Sequence, residues 1–109
     1  MPYVIETFDR PGQEALRQRL RAEHLRFLAS QAPRLLACGA KLRDDGSDAG
    51  GGLYIIDVQD RPAAEAFIAA DPFSAGGLFD RVSITRWRQA YLAGQCHLSP
   101  EPTLCPTPT

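Results

Sequence analysis

An α+β fold, with four strands in one antiparallel sheet and two helices on one face of it, is what this sequence predicts, and three observations carry that reading. Four short segments are rich in β-branched and aromatic residues, and two stretches of helical periodicity lie between them. Their order is strand, helix, strand, strand, helix, strand. The chain has 109 residues, 44% of them apolar, which allows one core and leaves no room for a second domain.

The first strand runs from Tyr3 to Phe8 and ends in the turn cluster Asp9-Arg10-Pro11-Gly12. From Gln13 to Gln31 no Gly or Pro interrupts a stripe of Leu16, Leu20, His24, Phe27 and Gln31, and Arg17, Arg19, Arg21 and Arg26 fall mostly off it, so an amphipathic helix is expected. Pro33 cannot continue that helix, and Leu35 to Ala40 reads as a short buried second strand. Arg43 to Gly51 is a polar, Gly-rich surface loop, and Leu53 to Val58 is a third strand that forms a long-tipped hairpin with the second. Asp60 offers a side-chain cap to a second helix with Pro62 in its first turn, and Ala63, Ala66, Phe67 and Ala70 are spaced for its buried face. The helix stops at Asp71-Pro72, and the Gly-rich segment through Phe79 reads as an ordered loop. Val82 to Arg88 alternates β-branched with polar residues as a fourth strand. The expected division is one domain over 1–94 and a Pro-rich extended tail over 95–109.

These elements make a ferredoxin-like βαββαβ arrangement whose two helices cover one sheet face. Tyr54, Ile56, Val58 and Trp87 are expected on the other face, where water is a poor neighbour for them, so a homodimer through the open sheet face follows.

Composition excludes several partners. The formal net charge is −1 and the twelve cations, eleven Arg and one Lys, are scattered, so no nucleic acid and no basic membrane anchor are expected. An RNA-recognition domain shares the element order, but its third strand is basic and aromatic, whereas Gly52-Leu53-Tyr54-Ile55-Ile56-Asp57 has one aromatic and an acid. The longest apolar run, Leu35 to Ala40, is far below the roughly 20 residues of a membrane span, and the first residues lack a signal-peptide pattern. Cys38, Cys96 and Cys105 are odd in number and have no paired spacing, which predicts a reducing, cytoplasmic setting without a disulfide framework. Cys96-His97 with Cys105 is a poor match to zinc spacing, and Gly50-Gly51-Gly52 precedes a strand and not a helix, so neither metal nor nucleotide cofactor is expected.

His24 stands on the apolar helical stripe, where a side chain that titrates near neutrality is costly to bury without a partner. The plain alternative is a core-edge histidine bonded to a backbone carbonyl. Asp71 stands where the second helix ends, and an inward carboxylate beside an imidazole fixes its tautomer and leaves the other ring nitrogen free to take a proton. Asp before Pro is equally a common turn former. Ser74 lies in the same loop, Arg21 is one helical turn before His24, and Lys41 is the only lysine; each has an ordinary reading as a turn residue or a solvated cation.

Ala70-Asp71-Pro72-Phe73, followed by Ala75-Gly76-Gly77-Leu78-Phe79 and then Val82-Ser83-Ile84-Thr85-Arg86-Trp87-Arg88, resembles the signature of the YciI-like (YCII-related) family. Tyr3-Val4-Ile5, Arg21-Ala22-Glu23-His24-Leu25 and Leu35-Leu36-Ala37-Cys38-Gly39 extend the resemblance over roughly residues 3 to 90. It implies a ferredoxin-like subunit paired as a dimeric α/β barrel, with an active site of one His and one Asp that match His24 and Asp71. The clearest activity it implies is loss of HCl from a chlorinated hydroxyquinol. Lys41 departs from the small-Pro ending of the second strand, and the tail has no counterpart in the family.

The expected function is therefore that of a small cofactor-independent lyase or isomerase acting on a cyclic or aromatic oxygenated molecule. His24 is its acid or base and Asp71 orients that residue, while Phe73, Arg21 and Ser74 contact the substrate. The competing expectation is a non-catalytic module that binds a small ligand or a protein, with His24 and Asp71 as a buried structural pair.

Overall fold

The structure, a computed structural model, describes residues 2–98. Its elements are β1 (Pro2–Asp9), α1 (Glu14–Ser30), a single 3-10 turn (Ala32–Arg34), β2 (Leu35–Leu42), β3 (Asp48–Asp57), α2 (Arg61–Ala70), α3 (Pro72–Ala75), β4 (Phe79–Arg86), β5 (Tyr91–Leu92) and β6 (Gln95–Cys96). The first four long strands pair in the order β2-β3-β1-β4, antiparallel throughout, which is the ferredoxin-like topology. The core lies between this sheet and the helices, around Ile5, Tyr54, Ile56, Ala64, Phe67 and Ile68.

The registers decide which side chains face the helices. Ile5 pairs with both Tyr54 and Ile84, so odd positions of β1 and even positions of β3 and β4 share the covered face. Tyr54, Ile56 and Val58 are therefore buried, which corrects their expected place on the open face. That face instead carries Val4, Leu53 and Ile55, with the Phe8 ring between Lys41 Nζ at 3.6 Å and the Arg81 guanidinium at 4.0 Å. Lys41 also pairs with Glu6 at 3.3 Å. Trp87 lies just past β4, where its N–H donates to the Pro2 carbonyl at 3.0 Å.

The crossing of β3 against β1 depends on glycine. Gly51 has φ +146°, and a Cβ there would sit 2.0 Å from the Thr7 carbonyl oxygen. Next to it, the Gly52 N–H donates to Thr7 Oγ1 at 2.9 Å.

Two helical expectations are corrected. The buried face of α2 is Ala64, Phe67 and Ile68, with Ala66 and Ala70 exposed, because its many alanines leave the phase to the larger side chains. The segment after Asp71 folds into the short helix α3 instead of a loop: Pro72 supplies a preset φ at its first position and the Asp71 side chain accepts from the Phe73 N–H at 2.9 Å. The expected boundary between residues 94 and 95 falls inside the small β5–β6 hairpin, and most of the Pro-rich tail lies outside the described residues.

Cys38 is a free thiol and Cys96 is disulfide-bonded, which removes the support that the cysteine count gave to a reducing compartment. Among the described residues no helix is long and apolar enough to cross a membrane.

Candidate active site

Asp71 owes its position to the proline that follows it. Pro72 has no N–H and disfavours helical backbone at the preceding residue, so α2 ends and Asp71 takes an extended conformation (φ −63°, ψ 130°). The sharp turn points the carboxylate back under α1, where it is completely buried. Gly76 lets α3 come close: a Cβ there would lie 2.5 Å from Leu20 Cδ1 of α1 and 3.0 Å from the Pro72 carbonyl oxygen.

Three donors converge on this one carboxylate. His24 Nδ1 lies 2.9 Å from Oδ1 and 3.0 Å from Oδ2, the Tyr54 hydroxyl donates to Oδ2 at 2.7 Å, and the Phe73 N–H donates to Oδ1. A carboxylate accepts only, so Nδ1 carries a proton, and in the neutral imidazole the lone pair is on Nε2. His24 is 8% exposed, the one buried residue of α1. Its ring stacks on Phe73 with centroids 3.9 Å apart and planes 13° from parallel, and the Tyr54 ring meets it edge-on at 6.3 Å. On Phe73 lies the Arg17 guanidinium, 4.8 Å from the ring centroid, itself anchored to Asp9 Oδ2 at 2.8 Å.

His24 opens on a cleft of about 280 Å³ between α1 and the β2–β3 side of the sheet. The small residues Gly39, Ala40 and Gly52 form its floor, and Leu25 and Leu28 are on its α1 side. That volume is just below the usual range for ligand pockets, about 300–1,000 Å³. Arg21 and Phe73 line the cleft and Ser74 does not: its backbone N–H is tied to the Asp71 carbonyl within α3 and its side chain is not part of the wall.

Tyr54, Arg17 and Cys38 join the site although the sequence reading did not place them there. Burial, and then the adjacent Asp71 carboxylate, drives the Tyr54 phenol far above the ordinary tyrosine range, so it stays a donor. Cys38 is exposed as a residue, yet its thiol is sheltered at the cleft wall; desolvation, helped by the charge of Asp71, pushes it up to about 11. Among the described residues no group of three or more His, Cys, Asp or Glu is disposed to hold a metal.

Fold and site together define a class: a small ferredoxin-like α+β protein with a histidine held by a buried carboxylate beside a small cleft. Within that class the chain belongs to the family of the YCII-related domain, whose model matches residues 1–88. A similar solved structure is that of the 5-chloro-2-hydroxyhydroquinone dehydrochlorinase TftG from Burkholderia phenoliruptrix AC1100 in complex with 2,5-dihydroxybenzoquinone. It is 28% identical over 81% of this chain and 94% of that one, with a TM-score of 0.75. An antibiotic biosynthesis monooxygenase (20% identity, 82% and 100% covered, TM-score 0.48) and Atu4242 from Agrobacterium tumefaciens (12%, 85% and 98%, 0.49) are more distant and add nothing to the reading of the site. No curated protein matches the chain in sequence.

Proposed function

We propose that this protein is a cofactor-independent lyase that eliminates HCl, or a closely related leaving group, from a small hydroxylated aromatic ring. The observation that carries the reading is the His24–Asp71 pair, with Nδ1 held at 2.9 Å and Nε2 left to face the cleft. The likeness to a dehydrochlorinase of such a ring supports it.

For a chlorinated hydroxyhydroquinone the steps balance without an outside oxidant. One ring hydroxyl gives its proton to His24 Nε2 and ketonises as the same proton is delivered to the chlorine-bearing carbon. A second hydroxyl then loses its proton to Nε2, the electron pair moves through the ring, and chloride leaves with its bonding pair. The product is the hydroxyquinone, and the net loss is HCl. Asp71 positions the imidazole and stabilises its protonated form, and Phe73 keeps water from one face of it.

The test is chloride release from 5-chloro-2-hydroxyhydroquinone. Wild type releases chloride, and His24→Gln and Asp71→Asn each lower kcat by about two to four decades while remaining folded. Nitrogen-15 shifts of His24 report the Nδ1–H tautomer in the wild type and its loss in Asp71→Asn. Full activity in both variants sinks the catalytic reading and leaves His24 and Asp71 as a structural pair.

A further inference from the structure

The charges that line the cleft are unevenly matched. Arg17 is neutralised by Asp9 at 2.8 Å and lies on the Phe73 ring, so it is already engaged. Asp48 stands at the cleft and is exposed; Arg43 donates to its backbone carbonyl at 2.8 Å, and its carboxylate is solvated. Arg21 lines the same cleft at its exposed mouth and, among the described residues, has neither a hydrogen bond nor an ion pair. Asp71 cannot serve it, since three donors enclose that carboxylate and it is fully buried.

Geometry relates Arg21 to His24. Three residues apart on one helix, their Cβ atoms lie about 5–6 Å from each other on the same face. A single planar ring with oxygens on opposite carbons bridges a base at one end and a guanidinium at the other. A guanidinium offers paired N–H donors, which suit an oxyanion better than a neutral hydroxyl.

We infer that Arg21 selects an anionic ring oxygen, so that the substrate class of the cleft is the phenolate or hydroxyquinone anion and not the neutral phenol. The inference rests on the cleft being the site of a small aromatic, as proposed above. Arg21 binds the charged oxygen while His24 Nε2 faces the hydroxyl that must lose its proton. As negative charge spreads through the ring during chloride departure, the same guanidinium stabilises it.

Calorimetric titration of the whole protein tests this with two probes of one shape: 2,5-dihydroxybenzoquinone, a vinylogous acid that is anionic at neutral pH, and its neutral dimethyl ether. Wild type binds the anion about tenfold more tightly at low salt, and the preference shrinks as salt is raised. Arg21→Gln removes the preference, Arg21→Lys keeps part of it, and the His24 nitrogen-15 shifts stay as in the wild type. A preference that survives in Arg21→Gln, or a wild type that binds both probes equally or binds neither, overturns the inference. These outcomes are separable from failure of the catalytic reading. A protein that prefers the anion through Arg21 but releases no chloride retains the anion site and loses the proposed reaction, whereas chloride release without anion preference does the reverse.

Discussion

Replacing Tyr54 by Phe removes one hydroxyl from the centre of the site, and the structure sets the size of the effect. The hydroxyl lies 2.7 Å from Asp71 Oδ2, Tyr54 is 2% exposed and Asp71 is fully buried. A hydrogen bond to a charged group contributes about 1.5–3 kcal/mol. No apolar volume is lost, and Oδ2 keeps a contact with His24 Nδ1 at 3.0 Å, so the cost falls at about 2 kcal/mol. Urea melts at neutral pH should show the midpoint falling by about 1 M at an unchanged m-value. The pH dependence gives a second reading. Below pH of about 10 both the folded and the unfolded chain keep the phenol proton, so the full stabilisation is present. Above it the unfolded chain releases the proton while the folded chain, whose phenol is raised by burial and by Asp71, retains it. Wild-type stability then falls by about 1.4 kcal/mol per pH unit relative to the variant, and the two melts converge. Equal midpoints at pH 7, or a gap that stays constant past pH 10, would refute the hydrogen bond as the cause.

Gly51→Ala should prevent folding or cost more than about 3 kcal/mol, because the new Cβ meets the Thr7 carbonyl at 2.0 Å in a left-handed backbone, whereas Gly39→Ala, with nothing within 4 Å, should stay within about 0.5 kcal/mol; thermal melts of the pair check both. Cys38 should react sluggishly with a thiol reagent at pH 7 to 9 and gain half its limiting rate near pH 11, and Asp71→Asn should move that midpoint down. Light scattering should give the wild type the mass of a homodimer and Ile55→Lys, on the open sheet face beside Leu53 and Val4, that of a monomer, whereas a monomeric wild type or a mass unchanged in the variant would exclude that face as an interface.

Both members of the His24–Asp71 hydrogen-bonded pair are legible in the sequence because each breaks a local rule. His24 interrupts an apolar helical stripe, and Asp-Pro combines a helix stop with a carboxylate. Tyr54 was not legible. Leu53-Tyr54-Ile55-Ile56 is apolar at every position, so no alternation marks its inward face, and the register is set by the glycine crossing at Gly51. Arg17 reads as a solvated charge because its partner Asp9 is eight residues earlier and is brought close only by the turn between β1 and α1. The helix around Ser74 is hidden for the opposite reason: a glycine-rich neighbourhood suggests a loop, but a capped four-residue helix engages its backbone. The order of the four long strands and two long helices is readable, since it depends on propensity and period, whereas the early start of β3 at Asp48, the short α3 and the β5–β6 hairpin are not, and the cleft arises from small residues on two strands that only pairing brings side by side.

The pile of Arg17, Phe73 and His24 governs the trajectory of anything that exchanges a proton with the imidazole. One ring face is closed by Phe73 at 3.9 Å and the Nδ1 edge by Asp71, so a proton is exchanged at Nε2, whose lone pair lies in the imidazole plane. A base presented in that way delivers its proton to a single side of a flat ring. With the imidazole fixed by that stack, the face of a flat molecule turned toward Nε2 is the face that receives the proton, so the pose taken in the cleft sets the handedness of any tetrahedral carbon formed.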